Sequence, residues 1–171
     1  MGLRWLAFSK RVEIFMKLSI VHGDLLDQKV EVIVNAWNRN LIPWWLLLPH
    51  GVSGAIKRRG GYKPFQELMW KGILPLGGAT ITSAGRLPFK AIIHIAGIGL
   101  LWLPSKKSVY DSVVNALKLA SERSFRSIAF PLIGAGVGGL APDVVLEIMQ
   151  TAVSDSSFYS GEVTIVQYTQ R

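Results

Sequence analysis

Val32-Ile33-Val34-Asn35-Ala36-Trp37-Asn38 runs from β-branched residues straight into two asparagines, and Gly51-Val52-Ser53-Gly54-Ala55-Ile56 follows shortly after. The first run predicts a buried strand whose C-terminal end delivers amide side chains to a crevice, the place where open α/β sheets gather ligands. Asn offers donors and acceptors on a short arm, which suits holding hydroxyls and amides better than strong acid–base work. The second run predicts a glycine loop that opens a helix and turns backbone N–H groups toward an anion.

Working outward, Lys17–Val21 alternates as a strand that ends at His22-Gly23-Asp24, and Val30–Asn35 is a second, more apolar strand. Pro43 and Pro49 frame Trp44-Trp45-Leu46-Leu47-Leu48 and predict a loop or a broken helix there. Ser53–Arg59 reads as a short helix stopped by Gly60-Gly61, and Pro64–Gly72 as a second helix. Gly77–Ala84 and Lys90–Ala96 read as strands. Ser105–Arg123 has apolar residues at the spacing of an amphipathic helix. Ser127–Pro131 is a strand running into Gly134-Ala135-Gly136-Val137-Gly138-Gly139. Asp143–Val153 is a helix and Glu162–Tyr168 a last strand. Strands alternating with helices predict a three-layer α/β/α sandwich around a mixed, mostly parallel sheet.

At 171 residues the chain is long enough for one domain with a full core, and with 50% hydrophobic and 18% charged residues it is globular. It holds no cysteine, which removes disulfide and thiolate chemistry and fits a reducing interior, so a cytoplasmic location is expected. His22, His50 and His94 lack metal-ligand spacing, and neither a metal nor a cofactor is expected. The formal charge of +8 favours a negatively charged partner, with clusters at Arg4, Lys10, Arg11, Lys17 and at Lys57, Arg58, Arg59, Lys63. Apolar runs broken by Pro and Gly are too short to span a bilayer. Residues 1–15 read as an extension, with the domain taken as 16–171 and Met16 as an alternative start.

Two glycine loops after two strands of one sheet, at 51–54 and 134–139, can grip the two halves of a pyrophosphate. Asp24 is placed to cap the turn that follows it, a common use of Asp. Asn35 either meets a ligand or ties loops together. The Trp44-Trp45 insertion is expected to pack on the domain; a lid, a stacking surface or a membrane-touching tip are the other readings.

Asp24, Asn35-Ala36-Trp37-Asn38, Gly51-Val52 and Ile133-Gly134-Ala135-Gly136-Val137-Gly138 together resemble the signature of macro domains, the ADP-ribose-binding modules, from about Lys17 onward. The resemblance implies ADP-ribose as ligand. It places Asp24, with Leu25 beside it, at adenine, and Asn38 at the distal ribose. The ligand-binding set it implies also includes Asn35, Gly51, Val52, Ser53, Gly134, Ala135, Gly136, Val137 and Gly138. Departures are Pro49-His50 where the family has glycines, and Ser53 and Gly138 where hydrolytic branches carry an acid.

One branch, of ADP-ribosyl glycohydrolase type, resembles Ala55-Ile56-Lys57 and uses its lysine as a nucleophile. Here Lys57 is that nucleophile, a solvated helix lysine, or a charge partner for pyrophosphate. The expected activity is hydrolysis of an ADP-ribosyl linkage on protein or nucleic acid, with a mono-ADP-ribosyl hydrolase or O-acetyl-ADP-ribose deacetylase as types. Substrate-assisted attack by water, with Asn38 holding the ribose, needs neither lysine nor acid. The rivals are an ADP-ribose reader without turnover and a basic poly(ADP-ribose)- or RNA-binding module.

Overall fold

A computed structural model describes residues 16–37, 51–97, 105–135 and 139–168. The strands are β1 (Lys17–His22), β2 (Val32–Trp37), β3 (Ala79–Thr82), β4 (Ala91–Ala96), β5 (Ser127–Pro131) and β6 (Glu162–Gln167). The helices are α1 (Gly51–Gly60), α2 (Lys63–Met69), α3 (Lys106–Glu122) and α4 (Pro142–Asp155), with a 3-10 turn at Leu25–Asp27. They form one six-stranded sheet in the order β1-β6-β5-β2-β4-β3. Every neighbouring pair is parallel except β3 with β4. This is the expected mixed α/β sandwich.

The pleat of β2 and β4 sorts the core into two layers. Ile33, Trp37, Ile92 and Ala96 pack with Ile56 of α1 and with Phe65 and Leu68 of α2. Val32, Val34, Ile93 and Ile95 pack on the other face with Val113 and Leu117 of α3 and Met149 of α4. Burial on both faces explains why β2 and β4 read as apolar runs, interrupted only by Asn35 and His94. Ser105 starts α3 with a capping box: its side chain accepts from the Ser108 N–H while Ser108 accepts from the Ser105 N–H.

Several boundaries differ from the sequence reading. β2 starts and ends two residues later than expected, because β4 pairs with it all the way to Trp37 opposite Ala96. α1 begins at Gly51 rather than Ser53, so the expected glycine loop is already helix. β3 shrinks to four residues, since Gly77 turns at a φ of 79° just before it. The turn expected after Asp24 is a 3-10 turn three residues long. The extension 1–15 and the insertion 42–48 lie outside the described residues.

Candidate functional site

A cleft of about 400 Å³ opens at the C-terminal ends of β5 and β6, where Pro131, Val166 and Tyr168 line it. Gly23, Asp24, Leu25 and Leu26 form one wall after β1, and Gly51, Val52, Ala55 and Arg58 of α1 form the opposite wall. The α1 residues recur every three to four positions, so they make one stripe of the helix. The size suits a small-molecule ligand. Tyr168 is 72% exposed at the lip and offers a ring face.

Asp24 combines two tasks that the sequence left as alternatives. Its Oδ1 accepts from the Leu26 N–H at 2.8 Å and so caps the 3-10 turn, while the residue also lines the cleft. Arg59 donates to Asp24 Oδ2 at 3.4 Å, to Asp27 Oδ1 at 2.8 Å and to the Leu26 carbonyl at 3.3 Å. That guanidinium ties the turn to α1 and fixes the width between the two walls. An ionised carboxylate has about four acceptor sites, so Asp24 keeps capacity for an incoming amine.

Behind the cleft lies a buried polar chain. The Ser53 hydroxyl donates to Asn35 Oδ1 at 2.9 Å, and the Asn35 amide meets His94 Nδ1 at 3.1 Å. His94 Nε2 lies 2.8 Å from Thr82 Oγ1, whose own proton goes to the Ser83 carbonyl at 3.1 Å. Because the threonine proton is committed, Nε2 must donate and Nδ1 must accept, which assigns the neutral Nε2–H tautomer. Asn35 and His94 face each other across β2 and β4, and both are fully buried. Burial pushes the His94 imidazole down to about 3, so it stays neutral at physiological pH.

Of the expected ligand-binding residues, Asp24, Leu25, Gly51 and Val52 meet in the cleft. Asn35 and Ser53 turn instead into the buried chain, the loop-tying role that was one reading of Asn35. Gly134 ends the turn after β5 with a φ of 81°, and its carbonyl accepts from the Leu140 N–H, which closes the loop that carries Ala135. Asn38, Gly136, Val137 and Gly138 lie outside the described residues.

Lys57 is not the solvated helix lysine of one reading. It is only 5% exposed, with Nζ 5.0 Å from the Phe65 ring centre and 5.5 Å from that of Trp37. It shares the inward stripe of α1 with Ser53 and Ile56, apart from the stripe that lines the cleft. Desolvation lowers its ammonium pKa.

Sequence reasoning missed Ala55, Arg58, Pro131, Val166 and Tyr168 as lining residues, and it missed the partnership of His94 with Asn35. Arg58 had a signal in its three-residue spacing from Ala55. The others are brought in by strand order, which one sequence does not reveal.

A sequence model of the macro domain family matches residues 34–149. An O-acetyl-ADP-ribose deacetylase of Citrobacter rodentium is 35% identical over 147 residues, covering 81% of this chain and 79% of its own. An uncharacterized protein of Aeropyrum pernix is 36% identical over 150 residues, covering 85% and 73%. Among solved structures, a mutant of the Oceanobacillus iheyensis macrodomain with ADPR superimposes with a TM-score of 0.78 at 29% identity, covering 90% of this chain and 86% of that one.

Proposed function

The chain belongs to the macro domain family, and from that premise we propose that its cleft binds ADP-ribose and that the protein hydrolyses an ADP-ribosyl linkage. One observation carries the reading: Asp24 and the N-terminal turn of α1 line opposite walls of a single cleft. The carboxylate accepts from the adenine amino group, and the helix amides at Gly51 and Val52, with Arg58 further along the same stripe, attract the pyrophosphate. The formal charge of +8 favours the same anion. The lack of cysteine agrees with a cytoplasmic setting, and no described helix is long and apolar enough to cross a membrane.

For turnover we favour water over a covalent lysine. A phosphate oxygen of the ligand orients the water, whose oxygen bonds to the anomeric carbon, or to an acyl carbon in a deacetylase, as the bond to the leaving group breaks. The leaving group takes up the proton that water gives up. Asn38 holds the distal ribose in this scheme, and the amides of the two loops stabilise the developing charge. Lys57 stands outside it, because its amine lies against Trp37 and Phe65. A second reading, an ADP-ribose reader without turnover, draws on the Ser53 hydroxyl: it occupies the place of the family's acid and is bound to Asn35.

The test is a panel of carboxyl-linked, serine-linked and DNA-linked ADP-ribose, together with O-acetyl-ADP-ribose, scored by released product. Calorimetry with free ADP-ribose runs on the same sample. We expect binding, release from at least one substrate class, and a loss of roughly tenfold or more in affinity in Asp24→Ala, from a charge-assisted hydrogen bond. Binding without any release makes the protein a reader. Unchanged affinity in Asp24→Ala removes the adenine assignment.

A further inference from the structure

A second concavity, about 560 Å³, lies at the opposite end of the sheet from the cleft, beside the end of edge strand β3 and the start of β4. Trp70, Lys71, Lys90, Arg123, Phe125 and Glu67 are among its lining residues. From this juxtaposition we propose that the groove is a binding site for single-stranded nucleic acid, distinct from the ADP-ribose cleft and independent of it.

Trp70 caps α2 at its C-terminal end and is 83% exposed, although a ring of that size is ordinarily the most worth burying. A lone exposed aromatic needs no explanation. One standing in a groove with three cations has the two components of strand recognition, a stacking platform and a track for phosphates.

The charges around it favour an anion. Glu67 is the carboxylate among the lining residues, and both of its oxygens are occupied at 2.7 Å by the N–H and hydroxyl of Ser83. Lys90 is shared with Glu31 at 2.6 Å. Lys71 faces the Glu67 charge and, against desolvation and together with the Ser83 bonds, helps to hold that carboxyl below its usual range. Arg123 is therefore the lining cation left to meet a phosphate, and Lys71 a partly offset second. An unpaired strand can unstack a base onto Trp70 while its backbone follows these cations. Three cations beside the ring favour a strand, whose phosphates recur at short intervals, over a bilayer, which would need more apolar surface around the aromatic.

Fluorescence anisotropy with labelled oligothymidylate and oligoadenylate tests the site. With about two phosphates neutralised, affinity should fall about sevenfold between 50 and 200 mM salt. Trp70→Ala should weaken binding roughly fivefold or more. Lys71→Glu with Arg123→Glu should remove most of the binding and its salt dependence. Lys106→Glu, a charge reversal at the other end of α3 from Arg123, should change affinity less than about twofold if the groove rather than net charge is responsible. All variants alter exposed positions, and their unfolding midpoints and ADP-ribose affinity serve as controls.

Saturating ADP-ribose should leave the oligonucleotide bound. Absence of binding at low salt would overturn the proposal, as would binding indifferent to Trp70→Ala or displacement by ADP-ribose. Attachment through Trp70 to anionic phosphatidylglycerol vesicles without oligonucleotide binding would assign the surface to a membrane instead. Failure of ADP-ribose to bind would count against the cleft alone and leave this experiment intact.

Discussion

His94 is held neutral by its surroundings, and neutrality carries a pH signature. The unfolded imidazole takes up a proton near pH 6.5, whereas the folded one resists down to about 3. The folded pKa is depressed, so its contribution to stability is complete above 6.5 and is lost as pH falls through that window, at up to about 1.4 kcal/mol per pH unit. Urea unfolding of the wild type should steepen its decline below pH 6.5, and His94→Gln should flatten it by about one proton's worth. An identical slope in the variant would mean that the imidazole is solvated. Lys57 presents the opposite balance. Cation–π attraction to Trp37 and Phe65 is worth about 0.5–2 kcal/mol, yet the ammonium pKa is lowered, so desolvation wins. Lys57→Met should therefore be as stable as the wild type or more stable by about 1 kcal/mol at pH 7. That gain should shrink as pH rises and vanish above 10.5, once the wild-type amine is neutral in both states; a clear loss of stability would show that the charge is used. At this scale the sequence was a fair guide to part of what lines the cleft. A carboxylate after a strand and glycines before a helix identified Asp24, Gly51 and Val52 without any pairing information. It was a poor guide to what lies behind: Asn35 and His94 are 59 positions apart, and only the register of β2 against β4 makes them neighbours.

The cleft is set by α1, and α1 is set partly from its far end. Gly85 adopts a φ of 62°, and a Cβ built there would stand 2.3 Å from the Gly60 carbonyl oxygen. That same carbonyl accepts from the Arg86 N–H at 2.9 Å, so the turn after β3 grips the last residue of α1. Gly85→Ala should cost about 1–3 kcal/mol through the left-handed backbone and the displaced carbonyl. Because Gly51, Val52, Ala55 and Arg58 move with the helix, ADP-ribose affinity should fall as well, although residue 85 touches nothing in the cleft. Loss of stability at full affinity would show that the two ends of α1 are uncoupled. The elements themselves were largely legible, since periodicity and Gly/Pro punctuation are local properties. Their ends were less so. Trp37 belongs to β2 because β4 offers a partner opposite it, and Gly51 belongs to α1 although glycine is a weak helix former. The first outcome is decided by a strand partner that no window of sequence contains, and the second by a left-handed φ of 55° at Gly51, which glycine adopts without steric cost.

At the scale of the molecule, a ligand that binds only the folded state adds its binding free energy to folding. At a hundred times its dissociation constant, ADP-ribose should stabilise the protein by about 2.7 kcal/mol. For a chain of 171 residues that corresponds to a rise in Tm of roughly 5–10 °C by calorimetry. No shift under saturation would contradict binding to the native state. The sandwich architecture was legible from alternating strands and helices, but the order β1-β6-β5-β2-β4-β3 was not, since periodicity does not say which strands are neighbours. That order also has a temporal meaning. β1 leaves the ribosome long before β6, residues 162–167, which is its neighbour in the sheet among the described residues. Throughout synthesis of everything between them, β1 waits as an unpaired edge. Val166 and Tyr168 reach the cleft in that same last stretch of chain. A nascent chain therefore has no complete binding site to offer, and competence for the ligand arrives in one late step, together with closure of the sheet.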